Sequence, residues 1–292
     1  MNYNKYQKYK DIIFLAKCKI ANKILINYYK STMNNCKNMI KNSNNKVIIS
    51  LTTIPSRIDT VWITIESLLR QSYKPDRIIL WLGKELFQNI ALPKELLLQK
   101  KRGLEIYYCK DLICHTKYYY TLKENPESNI ITVDDDIIYY KNMIKELIDV
   151  GKRYPKNIVC HRAHEILLDS NYNIKKYKEW NWEGKKVQGP SNRLLQTGVS
   201  GVLYPPHSLN NEVLNKDKFM RLCPKADDVW LKVMAIINGT KIVKVRKKSM
   251  HYPIIYNTQK IALSIKNIEE NGNDIQIKNL FEEYNINSKL LI

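Results

Sequence analysis

The chain has 292 residues, 44% of them hydrophobic and 26% charged, enough apolar material for a large core and too much for an intrinsically disordered protein. Its formal net charge of +20 favours anionic partners, yet no dense arginine block and no recognised nucleic-acid module occurs, so nucleic acid is not the expected substrate. No apolar run approaches the roughly 20 residues that cross a bilayer, no secretory signal is evident, and the six cysteines contain no CxxC pair, which together predict a cytoplasmic protein with reduced thiols.

Residues 1–45 read as a basic helical arm with a linker. Ile12, Ile13, Leu15, Ala16, Ile20, Ile24, Leu25 and Ile26 alternate with lysines in the pattern of an amphipathic helix. Such a helix could lie on an anionic membrane surface or pack on the protein's own core, and the sequence leaves both open. The Asn-rich stretch Asn34 to Asn45 reads as the linker. From Lys46 the pattern becomes α/β. Val47 to Leu51 is a buried strand stopped by Pro55, and Asp59 is placed to cap a helix through Val61, Ile65, Leu68 and Leu69. Arg77 to Leu82 is the second strand, Pro93 to Lys101 a helix, Leu104 to Cys109 the third strand, and Thr116 to Lys123 another helix. The strand Asn129 to Val133 then runs into Asp134, Asp135 and Asp136, and a helix follows from Lys141 to Arg153. Beyond it the chain is irregular and aromatic, with Tyr172, Tyr177, Trp180 and Trp182, until a turn from Gln196 leads into a short strand ending at Pro205-Pro206. Asp227-Asp228 opens an apolar helix, Lys241 to Val245 is a strand ending near His251, and residues 257–292 form a helical tail. Repeated alternation of strand and helix predicts a mostly parallel sheet flanked by helices, with helical extensions at both ends. Ligands of such sheets sit beyond the C-terminal ends of the strands, where the three aspartates lie.

Three adjacent carboxylates repel one another unless water, cations or metal compensate them. In an extended segment Asp134 and Asp136 share a face, and an all-oxygen set suits Mg2+ or Mn2+ shared with substrate phosphates. Arg57, after the first strand, and Lys117, on the helix before the aspartates, are placed to reach phosphates. Asp227 and Asp228 stand in the first turn of a helix, where one is expected to cap and the other is free to act as a general base. A neutral His251 could complete a metal shell, or be an ordinary satisfied histidine. Cys114-His115, Cys160-His161 and His164 lack zinc-ligand spacing. No Walker loop and no GxGxxG is present, and Gly198-Val199-Ser200-Gly201 misses the nucleophile-elbow spacing.

Four blocks in order, Leu51-Thr52-Thr53-Ile54-Pro55-Ser56-Arg57, Ile130 to Asp136, Thr197 to Pro206, and Ala226-Asp227-Asp228-Val229-Trp230-Leu231, resemble bacterial glycosyltransferases of the GT-A type, and are most similar to family-2-like enzymes of surface polysaccharide synthesis. The resemblance covers roughly Lys46 to Tyr256. It implies a GT-A-like nucleotide-diphospho-sugar transferase fold, with 46–140 the nucleotide-binding half and 141–256 the acceptor-binding half. It also implies a nucleotide-sugar donor, with UDP favoured, a Mn2+ or Mg2+ cofactor, and a hydroxyl acceptor on a lipopolysaccharide, capsule or lipid-linked glycan at the inner face of the cytoplasmic membrane. Carried over residue by residue, Asp136 and Asp134 hold the cation and Asp134 faces ribose or donor sugar. Asp135, Thr52, Pro55, Arg57 and Lys117 line the donor, Asp111 lies near the base, and Thr197-Gly198 lie against donor sugar and acceptor, as do Trp180 and Trp182. Asp228 matches the acid that deprotonates the acceptor in inverting members, with Asp227 as fallback. Two departures stand out: the second strand ends Leu80-Trp81-Leu82-Gly83-Lys84, where many members carry an acidic pair that reads the base, and Asp227-Asp228 replaces the commoner Glu-Asp. Two other readings stay open, a sugar-phosphate nucleotidyltransferase, which the glycine-free Thr52 to Arg57 loop disfavours, and a non-catalytic glycan- or nucleic-acid-binding protein.

Overall fold

The computed structural model describes residues 3–35, 46–256, 258 and 271–292, so residues 36–45 of the expected linker and most of 257–270 lie outside the described residues. The strands are β1 (Val47–Thr52), β2 (Arg77–Gly83), β3 (Leu104–Cys109), β4 (Asn129–Thr132), β5 (Ile158–Cys160), β6 (Ala163–Glu165), β7 (Leu194–Gln196), β8 (Val202–Tyr204) and β9 (Ile242–Lys244). Seven of them form one sheet in the order β3-β2-β1-β4-β8-β5-β9, and β6 pairs with β7 separately. β1 lies parallel to β2 and β4, β2 to β3, and β5 to β9, whereas β8 runs antiparallel to both β4 and β5. The mostly parallel sheet is as expected; the reversed β8 is not something the sequence announced.

Period-two alternation sends successive side chains to opposite faces. On one face Ile49 and Leu51 of β1, Ile131 and Val133 at β4, and Leu203 of β8 pack with helices α2 (Val61–Leu69), α3 (Lys84–Phe87), α4 (Lys94–Lys101) and α6 (Met143–Arg153). On the other, Ile158, Cys160, Val202 and Tyr204 pack with α5 (Thr116–Glu124), α7 (Lys216–Leu222) and α8 (Asp227–Ile237), and Trp230 of α8 is fully buried. Each such aliphatic side chain contributes about 2 kcal/mol relative to exposure, and the C-terminal helix Gly272–Glu283 adds Ile277 and Leu280 to the second core.

The N-terminal helix α1 (Tyr3–Thr32) lies on the domain. Tyr29 and, just past its end, Met33 enter the first core, and Asn22 clamps the returning chain, donating Nδ2 to the Ile254 carbonyl at 2.8 Å and accepting the Tyr256 amide at 3.1 Å. Two expectations about helix starts are corrected. Thr60, not Asp59, is the N-cap residue of α2, without a side-chain cap bond, and α6 begins at Met143 because Lys141 and Asn142 form the turn into it. No described helix is long and apolar enough to cross a membrane.

The topology places a crevice. From β1 the sheet grows through β2 to β3 on one side, then restarts at β4 on the other. The chain after β1 leads to β2 and the chain after β4 leads to the other half of the sheet, so the strand order reverses between β1 and β4, the place where such sheets bind ligands past their C-terminal ends.

Candidate active site

Two segments leave the sheet at that place. After β1, Pro55 restricts Ile54 to an extended conformation (φ −116°, ψ 159°) and starts the short turn Pro55–Arg57. This swings Arg57 across the end of β4, where its Nη1 lies 2.6 Å from Asp135 Oδ1 and 3.2 Å from Asp136 Oδ2, and its Nη2 donates to the Thr258 carbonyl at 2.9 Å. After β4 the chain turns at Asp135 and Asp136 instead of continuing as strand, so strand alternation does not set the directions of the aspartates.

Each aspartate therefore has its own surroundings. Asp135 points inward: Thr53 Oγ1 donates to its Oδ2 at 2.5 Å, Arg57 holds its Oδ1, and Thr64 Oγ1 donates to its backbone carbonyl at 2.9 Å. Asp136 is also buried, and burial first, then the charges of Asp134 and Asp135, raise its pKa to about 7. Asp134 is the most open of the three, with its side chain 28% exposed and Oδ1 2.6 Å from Lys117 Nζ. Tyr139 fixes the turn by accepting the Asp134 amide at 3.0 Å and donating to the Val199 carbonyl at 3.3 Å.

Lys117 is aimed by a relay across the sheet. Trp81 Nε1 donates to Thr121 Oγ1 at 2.7 Å, Thr121 bonds Ser50 Oγ at 2.6 Å, and Ser50 donates to the Lys117 carbonyl at 2.6 Å. One proton per hydroxyl gives this chain a single direction, and it seats the first turn of α5 over β1. Lys117 Nζ then bridges Asp134 and, at 3.2 Å, Asp227 Oδ2. Burial alone would lower the lysine's pKa, but Asp134, Asp227 and Asp228 outweigh it and hold the ammonium charged.

The remaining wall is α8. Neither acid caps it: Ala226 is the N-cap residue, with no side-chain cap bond, which corrects the expectation that one of the pair would cap. Asp227 turns to Lys117, and Asp228 accepts the Gly198 amide on both oxygens, at 3.0 and 3.2 Å. Burial and the neighbouring Asp227 push the Asp228 carboxyl above the usual range, so it is more basic than an ordinary aspartate. Gly198 is the floor of the site. A Cβ placed there would stand 3.2 Å from Lys117 Nζ, 3.3 Å from Asp134 Oδ1 and 3.4 Å from Asp228 Oδ1. The end of β4 and the start of α8 thus meet over a residue whose lack of a side chain leaves the space open.

The other expected site residues make contacts of their own. Thr52 donates to the Trp81 carbonyl at the end of β1. Asp111 packs so close to β2 that a Cβ on Gly83 would lie 2.9 Å from its own Cβ, and its Oδ1 accepts the Ile113 amide. The Thr197 amide donates to the Arg162 carbonyl at 3.1 Å, beside Gly198. Trp180 is buried in the second core, its indole donating to the Lys175 carbonyl, while Trp182 is 40% exposed and lies against His164. His251 is not gathered with the aspartates: its Nε2 is 2.9 Å from Glu183 Oε1 and its ring meets Phe14. Sequence reasoning passed over Thr53, Tyr139 and Arg162. Thr53 sits in a motif already singled out, and Tyr139 lies three residues past another. Arg162, whose Nη1 is 3.5 Å from Thr197 Oγ1 and whose buried Nε has no hydrogen-bond partner, carries no sequence signal beyond its charge.

A divalent cation is testable against this donor set. Among the described residues no group of three or more His, Cys, Asp or Glu side chains forms a ready cage. Asp134 and Asp136 supply carboxylate oxygens from one short segment, and after burial the charge of Asp134 is the next cause of the raised Asp136 pKa. Two carboxylates, completed by water and phosphate oxygens, are what Mg2+-type sites use. The donor types of Asp134 and Asp136 are those such an ion takes, and His251 lies apart from them on Glu183.

Neither a family model nor a curated protein matches this chain.

Proposed function

We propose that the chain is a GT-A-type glycosyltransferase that moves a sugar from a nucleotide-diphosphate donor, a UDP-sugar by preference, to a hydroxyl of a glycan acceptor. The observation that carries this reading is the approach of Asp134, Lys117 and Asp228 to one point above Gly198, past the ends of β1 and β4. Donor chemistry and acceptor chemistry need to meet at one anomeric carbon, and these residues offer a group for each.

In the proposed reaction Asp228 accepts the proton of the acceptor hydroxyl as its oxygen bonds to the anomeric carbon, while the bond from that carbon to the donor phosphate breaks. The electron pair leaves with the nucleoside diphosphate. Burial supports Asp228 in this role by raising its proton affinity, and the Gly198 amide fixes its orientation. A divalent cation bound by Asp134 and Asp136 would supply Lewis-acid neutralisation of the leaving diphosphate. Lys117 stays charged and contributes a fixed positive charge beside the leaving group, and Arg57 adds a second while holding Asp135 and Asp136 in place. Inversion of configuration is the stereochemistry that a single base on the acceptor side produces.

The test is a donor-hydrolysis screen across nucleotide sugars with Mn2+ present. Release of nucleoside diphosphate from one donor, lost in the Asp228→Asn variant, is the expected result. Release of pyrophosphate from a nucleoside triphosphate and a sugar phosphate would instead show a nucleotidyltransferase, and turnover of none of these would sink the enzymatic reading.

A further inference from the structure

Helix α1 is apolar on two opposite sides. Cys18, Asn22 and Tyr29 turn inward and are buried, spaced as one helical face. Ile13, Ile20, Ile24 and Tyr28 follow a second stripe about half a turn away, and they are 38%, 63%, 62% and 52% exposed. A helix that only covers its own domain needs one apolar face, and the inward stripe already provides it. Lys17 and Lys23 are exposed beside the outer stripe, and no acidic residue occurs from Ile12 to Thr32 in a chain of net charge +20.

We propose that this outer stripe docks on the surface of an anionic lipid bilayer, with α1 lying in the interfacial plane. Isoleucines and a tyrosine enter the headgroup boundary while lysines extend to the anionic groups beside them. Charge decides the occupant: two copies of this face would bring lysine against lysine, whereas an anionic lipid surface attracts both. The inference is independent of the glycosyl-transfer reading. The docked helix would hold the candidate site at a set attitude to the lipid, because Asn22 grips Ile254 and Tyr256 and the intervening Ile255 donates its amide to the Asp136 carbonyl at 2.7 Å.

Vesicle sedimentation with the full chain tests this. Binding is expected to phosphatidylcholine vesicles containing phosphatidylglycerol, with little binding to phosphatidylcholine alone and a loss at high salt. Ile20→Asp with Ile24→Asp is expected to abolish binding, and Lys17→Glu with Lys23→Glu to weaken it roughly thirtyfold or more. Both pairs are exposed, so thermal unfolding should stay close to wild type. Failure to bind the anionic vesicles, binding that neither variant alters, or a wild-type dimer that the isoleucine variant converts to monomer would each overturn the proposal.

Discussion

The two acidic clusters of the site are built oppositely. In the triplet after β4, Asp135 receives a hydroxyl, a guanidinium and a second hydroxyl on its carbonyl, so its charge is spent on holding Arg57 and the chain turn. In the pair at the start of α8, the Asp228 carboxylate is held by one backbone amide shared between its oxygens, and its side chain has no cation within salt-bridge distance among the described residues. The difference separates positioning from reactivity. Removal from water raises the proton affinity of both carboxylates, but Arg57 and Thr53 pull Asp135 back down, whereas Asp228 has the like charge of Asp227 beside it and binds a proton more readily.

Breaking that contrast should give effects of very different kinds. The largest is expected for Asp228→Asn, which removes the proposed proton acceptor while keeping the shape. The kcat for transfer should fall about a hundredfold to ten-thousandfold, donor KM should change little, and the unfolding midpoint should hold. Asp135→Ala tests the opposite pole. It leaves the half-buried Arg57 with Asp136 at 3.2 Å but without its nearer carboxylate, so the fold should lose about 1.5–3 kcal/mol in urea unfolding, and an unchanged midpoint would show that the triplet's inner member is dispensable. Gly198→Ala sharpens the geometry: a methyl group 3.2–3.4 Å from Lys117, Asp134 and Asp228 should lower kcat about tenfold, with stability nearly kept, since the neighbours at that point are side-chain ends.

A smaller effect concerns pH. His115 and His161 are buried, and burial lowers both pKa values to about 4. An unfolded histidine titrates near 6.5, so below that pH the unfolded chain takes up protons that the folded one refuses. Stability should be full above pH 6.5 and drain away as the pH falls toward 4. His161→Gln should flatten that slope by about one proton in a pH series of unfolding midpoints.

The same residues show how far sequence carries. The strands β1 to β4 were readable because alternating or continuous apolar runs bounded by Pro and Gly leave few other arrangements, and the aspartates stood out because a buried strand seldom ends in three like charges. Lys117 was readable as a nearby cation. Its double engagement with Asp134 and Asp227 was not, because that depends on the reversed β8 bringing Gly198 and α8 alongside β4. The strands β6 and β7 have three residues each, too short for a period to register, whereas the equally short β8 was legible from the turn before it and Pro205-Pro206 after it. Trp180 and Trp182 look equivalent in sequence, and only tertiary packing sends one into the core. His251 likewise meets Glu183 through a long-range contact that spacing cannot reveal.

The central claim is that Asp134 and Asp136 bind a divalent cation together with a nucleotide's diphosphate. Thermal unfolding of the wild-type and Asp136→Ala chains, each with UDP plus Mn2+ and again with EDTA, tests it most directly, because ligand bound only to the folded state raises the midpoint by mass action. The account predicts a wild-type midpoint that rises with UDP and Mn2+ together and returns to baseline in EDTA, and a variant that shows no such rise. An equal rise in Asp136→Ala, or no rise in the wild type, would contradict it.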